Sequence, residues 1–185
     1  CTAGCAVCAS MLGAPLPEEE LMHHVGVPLA TQMRYFTDDE ETAERLLAAY
    51  REFNHRTHDE MARLYPNTRN TLETLAAAGL PMGIVTSKSR MMARRAIDLF
   101  DLEAFFPVMV TADDTPRHKP DPLPVREGVR LLGAGREHTI YVGDSPADIE
   151  SGNGAGLGTV AATWGVASRD RLEAAQPTAS NDDIA

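Results

Sequence analysis

Thr139-Ile140-Tyr141-Val142-Gly143-Asp144-Ser145-Pro146-Ala147-Asp148 reads as a buried strand that stops at a glycine and turns into a helix. Thr139 to Val142 make the apolar run. Gly143 lets the chain turn and lets another group approach the backbone closely. Two carboxylates follow, four residues apart. In an open α/β sheet Asp144 falls at the carboxyl end of its strand, where such sheets bind ligands. Asp148 falls in the first turn of the next helix, near enough to share a cation with Asp144. Hard cations take oxygen ligands, and Mg²⁺ typically uses one or two carboxylates with waters and substrate phosphate. Read alone, the stretch is equally a strand–helix connection with an N-cap aspartate.

The flanking sequence repeats the pattern. Met82–Thr86, Val108–Thr111 and Gly158–Ala162 read as further strands. Helices read from Asn67 to Ala78 with Gly79 as the stop, from Ser89 to about Phe100, from the loop Lys119-Pro120-Asp121-Pro122 to near Gly133, and from Pro146 to about Asn153. This alternation predicts a doubly wound, Rossmann-like parallel sheet with right-handed crossovers.

Upstream no strand is apparent. Pro15 and Pro17 interrupt the early helical pattern, Pro17-Glu18-Glu19-Glu20 reads as a helix start, and Gly26 and Pro28 end that helix. Asp38 with Glu41 reads as a capping box opening a long helix, with Ala43, Leu46, Leu47, Tyr50, Phe53, Met61 and Leu64 as its apolar stripe. The chain is therefore expected to divide into an all-helical part, 1–64, and an α/β part, 65–185. Pro177 to Ala185 are small and polar and read as a loop or frayed tail.

Composition narrows the function. The formal net charge is −10 with no Lys/Arg cluster, which argues against nucleic acid and anionic membrane as partners. No apolar run approaches the ~18 residues of a membrane span. Cys1 to Leu16 are uncharged, but no basic start supports a signal peptide. Cys5 and Cys8 have CxxC spacing without a second ligand pair, so Cys1, Cys5 and Cys8 read as reduced thiols of a cytoplasmic protein.

Parallel strands bring their carboxyl ends to one crevice. There the first strand delivers Thr86, Ser87 and Lys88, the loop after the second delivers Lys119, and the third delivers Asp144 and Asp148. A hydroxyl, an ammonium and two carboxylates suit a phosphoryl group held by Mg²⁺. Taken singly, Thr86 and Ser87 are simple helix caps and Lys119 a solvated lysine; the set is what carries the chemistry.

The stretches Ile84-Val85-Thr86-Ser87-Lys88, Lys119-Pro120-Asp121-Pro122 and Gly143 to Asp148 resemble the second, third and fourth motifs of the haloacid dehalogenase (HAD) superfamily. The helical segment to about residue 64 resembles the cap of its phosphoglycolate-phosphatase-like branch. Tyr50-Arg51-Glu52-Phe53-Asn54-His55, with His58-Asp59, resembles the cap of HAD-type pyrophosphatases. The resemblance implies a Mg²⁺-dependent phosphoryl hydrolase acting through an aspartyl-phosphate on a small anionic phosphorylated substrate. It implies that Thr86, with Ser87, binds the transferring phosphoryl group. By the same resemblance Lys119 neutralises nucleophile and phosphate, and Asp144 and Asp148 hold Mg²⁺ directly or through water. Arg34, Arg51, His55 and His58 are candidates to reach the leaving group, although polar surface on an amphipathic helix is the simpler reading.

The superfamily's first motif, Asp-x-Asp-Gly-Thr, does not occur in the sequence. Its first Asp is the nucleophile and its second the acid/base, and a phosphate electrophile needs both. The expectation is that it lies just upstream of Cys1 and that the fragment by itself is inactive. Its strand would lie between those ending at Thr86 and Val142, so two inner edges would keep unpaired backbone groups. Another segment should fill the slot, the sheet should close up, or the strand lies outside this sequence. Unpaired edges also invite self-association. Among other readings, a receiver-type signalling domain would need its acidic cluster on the early strands and no helical cap. A dehalogenase would need no Mg²⁺, an HD-type phosphohydrolase would be all-helical, and a non-catalytic product would bind only Mg²⁺ and phosphate.

Overall fold

The computed structural model describes residues 26–184 together with Ser10, Met11 and Gly13. The three cysteines and the helix start at Pro17 lie outside the described residues. The chain divides after Ala62 into two compact units.

In the first unit, α1 (Leu29–Arg34) and α2 (Glu40–Met61) pack together. Met33, Ala43 and Leu46 form their buried core, lined by Leu29, Phe36, Leu47 and Tyr50. The N-cap of α2 is Asp39, not Asp38: its Oδ2 accepts the Thr42 N–H at 2.9 Å. The expected Glu41 box is thus displaced by a hydroxyl, because Thr42 offers both its N–H and its Oγ1 to the same oxygen. The helix stops at Met61, short of Leu64. Pro66 disfavours helical backbone at the residue before it, which makes a natural limit for the stripe.

The second unit is α/β. α3 (Thr68–Ala77) leads to β1 (Gly83–Val85), α4 (Arg90–Leu99), β2 (Val108–Val110) and α5 (Leu123–Leu132). Then come β3 (Ile140–Gly143), α6 (Pro146–Ala155), β4 (Gly158–Ala162), α7 (Arg169–Ala174) and β5 (Ala179–Asn181). Every pairing is parallel. β1 pairs β2 with Ile84 opposite Met109. β3 pairs β4 with Val142 opposite Val160, and β4 pairs β5 with Ala161 opposite Ser180. Helix starts differ in detail from expectation. Asn67 precedes α3 in the left-handed region (φ 65°) without a side-chain cap, and Ser89 gives none to α4, whose Arg90 N–H goes to Asp113 instead.

The tail is not frayed. Residues 179–181 form an edge strand on β4, and Thr163 N–H and Oγ1 both donate to the Asn181 carbonyl. Its side chains are exposed, so the strand is held by backbone bonds and carries no apolar pattern to read.

The parallel strands form two sheets, β1–β2 and β3–β4–β5. Among the described residues no strand lies between β1 and β3, and no ladder joins the two sheets. Two helices hold the halves together. α5 packs on β1 and β2, α6 packs on β3 and β4, and α5 packs on α6. Val125, Ala155 and Leu157 are buried at that junction with Val85, Val129 and Tyr141 around them. Val125 and Leu157 each contribute about 1.5–3 kcal/mol when fully buried. On the face of β3 opposite Tyr141, Ile140 and Val142 are 67% and 50% exposed.

α6 crosses its sheet at Gly152, where a Cβ would come within 2.5 Å of Thr159 Cγ2 and 3.0 Å of Tyr141 Cδ1. Neither neighbour has room to withdraw inside the sheet–helix layer. Gly152→Ala is expected to lower stability by about 1–3 kcal/mol, measured as a lower urea midpoint with an unchanged slope.

Candidate functional site

β1 ends by turning back on itself. Thr86 N–H continues the ladder to Val110 O at 2.9 Å, and Thr86 Oγ1 accepts the Lys88 N–H at 3.2 Å. Its hydroxyl proton stays available to a ligand. Ser87 follows, half-buried and already partnered.

β3 ends in a denser arrangement. Ser145 is the N-cap of α6, and Asp148 is its third residue. Ser145 N–H and Oγ donate to Asp148 Oδ2 at 3.1 and 2.6 Å, while Asp148 N–H reaches back to Ser145 Oγ at 3.3 Å. This reciprocal box satisfies helix-end donors and fixes the carboxylate. Gly143 is required for it, since a Cβ there would stand 2.2 Å from Asp148 Cβ. The group that approaches this glycine is therefore Asp148 itself.

The other oxygen of Asp148 faces Lys119, whose Nζ lies 2.5 Å from Oδ1. Both side chains are 8% exposed. Lys119 comes from the loop before α5, where its bond to Pro120 is cis. Tyr141 joins the pair: its hydroxyl lies 3.2 Å from Asp148 Oδ1, 3.4 Å from Lys119 Nζ and 3.3 Å from Val85 O. With one proton, it serves Asp148 or Val85 in turn. Burial, and then the charge of Asp148, push its phenol well above the ordinary range. An ammonium has three donors, and Asp148 and Tyr141 occupy two of those of Lys119. The third is left for an incoming anion.

Asp144 is placed differently. Its Oδ2 accepts Val166 N–H at 3.2 Å, its carbonyl accepts Ala167 N–H at 3.1 Å, and no other described residue donates to Oδ1. Burial raises its carboxyl pKa, and the neighbouring charge of Asp148 adds to that. A half-buried carboxylate with a free oxygen and a like charge beside it fits a divalent cation. No group of three His, Cys, Asp or Glu among the described residues encloses a metal. The remaining ligands would be water and phosphate, as Mg²⁺ prefers. Both oxygens of Asp148 are engaged, so in this geometry it holds Lys119 while Asp144 offers the free ligand.

Thr86 and Lys119 are brought together through Val85 and Tyr141, and Asp144 and Asp148 stand at the adjoining strand end. The other expected residues lie in the first unit. His58 is buried with Nδ1 2.8 Å from Asp59 Oδ1, Arg51 and His55 are exposed, and Arg34 pairs with Glu40 at 2.5 Å. Tyr141 is hidden in the sequence because it sits inside an apolar strand. Its signal was parity: it shares a strand face with Gly143, opposite that of Ile140 and Val142.

The haloacid dehalogenase-like hydrolase family model matches residues 6–162. Pyrophosphatase PpaX from Bacillus cereus (strain AH820) is 40% identical over 139 residues, or 75% of this chain and 64% of that protein. A relative from Caldanaerobacter subterraneus subsp. tengcongensis, provisionally named pyrophosphatase PpaX, is 36% identical over 166 residues, covering 90% of this chain and 74% of its own length. The chain thus spans just under two thirds of the Bacillus protein. Among solved structures, a predicted phosphoglycolate phosphatase from Haemophilus somnus 129pt superposes with a TM-score of 0.88 at 22% identity, covering 99% of this chain and 86% of that one. A hydrolase from Pseudomonas syringae gives 0.87 at 21% identity over 99% and 86%. At such identity the likeness is one of fold.

Two outcomes are expected. A carboxyl whose folded pKa is raised binds its proton more tightly in the native state, so its contribution is present below the unfolded pKa and lost as pH rises through the folded one. In metal-free protein Asp144→Asn should therefore raise the thermal midpoint at pH 8 and lose that advantage towards pH 4. Tyr141→Phe should cost about 1 kcal/mol in urea unfolding, the worth of one buried hydrogen-bonding hydroxyl.

Proposed function

Because the chain belongs to the haloacid dehalogenase-like hydrolases, we propose that its strand ends form the phosphate- and Mg²⁺-holding part of a hydrolase for small phosphorylated anions, with pyrophosphate the foremost substrate. The observation that carries this reading is the buried Lys119–Asp148 pair, held at one strand end beside Asp144 and linked through Tyr141 to the strand that delivers Thr86.

The roles follow from donors left over. Thr86 Oγ1 donates to an oxygen of the transferring phosphoryl group, and the Ser87 stretch borders it. Lys119 directs its third N–H to the same group and offsets its charge. Asp148 keeps that ammonium aimed. Asp144 holds Mg²⁺, with Asp148 contributing its field from behind. Bound Mg²⁺ would supply charge neutralisation on the phosphate oxygens.

The helical part, 1–64, is read as a cap whose Arg51, His55 and His58 face the choice of substrate. A route through an aspartyl-phosphate needs a carboxylate nucleophile, and no Asp-x-Asp occurs in the sequence. By itself the chain is expected to turn over substrate poorly. No described helix is long and apolar enough to cross a membrane. The open edge of β3, with Ile140 and Val142 exposed on one face of the strand, also favours self-association.

Mg²⁺-dependent hydrolysis of pyrophosphate and p-nitrophenyl phosphate should be measured on this chain and on one extended at its amino end by an apolar strand closing in Asp-x-Asp-Gly-Thr. The extended chain should be active, and Asp144→Asn should cost it about 10²–10³-fold in kcat, the loss typical of removing one electrostatic stabiliser. Activity in the present chain that survives Asp144→Asn would defeat the assignment. Val142→Lys, which places a charge on the open edge, should shift any dimer towards monomer in sedimentation.

A further inference from the structure

We propose that Lys88 binds the anionic leaving half of the substrate, the second phosphoryl group of a diphosphate, while Thr86 and Lys119 hold the first. The inference rests on the phosphoryl site described above and adds the residue that selects what is attached to the phosphoryl group.

Lys88 stands two residues beyond Thr86 and shares its turn, since its N–H is bonded to Thr86 Oγ1 at 3.2 Å. Its carbonyl accepts the Ala112 N–H at 3.0 Å, which ties the same residue to the loop after β2. The backbone of Lys88 is thus pinned at both sides, on the turn that presents the Thr86 hydroxyl. Water still reaches the side chain, yet protein crowds it enough that lost hydration lowers its pKa.

Its lack of a partner is the telling feature. The ammonium makes no ion pair or hydrogen bond among the described residues, and the acids of the adjoining loop after β2 are committed elsewhere. Asp113 accepts the Arg90 N–H at 2.8 Å and so closes the start of α4. Asp114 takes the Arg90 guanidinium at 2.6 Å and the Thr111 N–H and Oγ1 at 2.7 and 2.6 Å. Lys119, the other lysine of these loops, has Asp148. A partly desolvated cation with no counter-charge among the described residues gains most when an anion arrives. A second phosphoryl oxygen set, one bridging oxygen away from the first, supplies that charge. A carboxylate on a short organic leaving group supplies it with fewer oxygens.

Isothermal titration of this chain in Mg²⁺ tests the assignment with three ligands: inorganic phosphate, imidodiphosphate and 2-phosphoglycolate. Lys88→Met should weaken imidodiphosphate about tenfold or more, the loss of one charge-assisted hydrogen bond, and leave phosphate within about twofold. Lys88→Arg should keep imidodiphosphate within about threefold of the parent. Circular dichroism melts of both variants should match the parent, because the ammonium has no structural partner to lose. If 2-phosphoglycolate loses as much as imidodiphosphate, the residue recognises leaving-group charge in general and the preference for a diphosphate is overturned. Equal losses for phosphate and imidodiphosphate, or none for either, would overturn the proposal while leaving the phosphoryl site in place. Absence of binding by the parent to all three ligands would overturn the site itself, and the proposal with it.

Discussion

Asp148 is the carboxylate on which the α/β unit turns. One oxygen closes the start of α6 through Ser145, and the other holds the buried ammonium of Lys119. Tyr141 leans on the same oxygen and reaches Val85 at the end of β1. A buried ion pair is a poor source of net stability, because desolvation cancels most of its Coulomb energy. Removing one partner is severe, of order 3–5 kcal/mol, since the other is left charged and dry. Such a pair is better understood by what it presents. Here it fixes one ammonium proton in space, at the mouth formed by strand ends.

That placement is achieved by local chemistry. The capping box needs only a serine and an acid three residues on, and Gly143 removes the one Cβ that would block it. The strand brings Tyr141 to the same face by parity. None of these devices requires a long-range accident of packing. The contrast with Asp144 is physical: four residues separate two acids, yet one is saturated with donors and the other keeps a free oxygen and an elevated proton affinity.

Much of this was legible in the sequence. Apolar runs ending at Thr86, Thr111, Val142 and Ala162 mark four strands, although β3 is not buried on both faces, since Ile140 and Val142 are exposed. Residues 179–181 gave no such signal, because an edge strand held by its backbone needs no apolar side chain. The cap of α2 shifted to Asp39 because hydrogen bonding at a helix start is decided by a single residue of register. Thr86, Lys119, Asp144 and Asp148 could be read as a set from the strand ends. The division of labour between the two acids could not, because it depends on which donors surround each oxygen. Tyr141 was hidden for the same reason: its hydroxyl matters only through partners from β1, α6 and the loop before α5.

The divided sheet has a consequence for motion. β4 is the one described strand with a neighbour on both sides, β3 and β5, while β1, β2, β3 and β5 each have an edge without a described ladder. Amide protons in β4 should therefore be the last of the strands to exchange with deuterium, and those of Ile140 and Val142 should open without unfolding of the rest. The unit would behave as two leaves hinged on α5 and α6, with the buried lysine and its carboxylate in the fold between them.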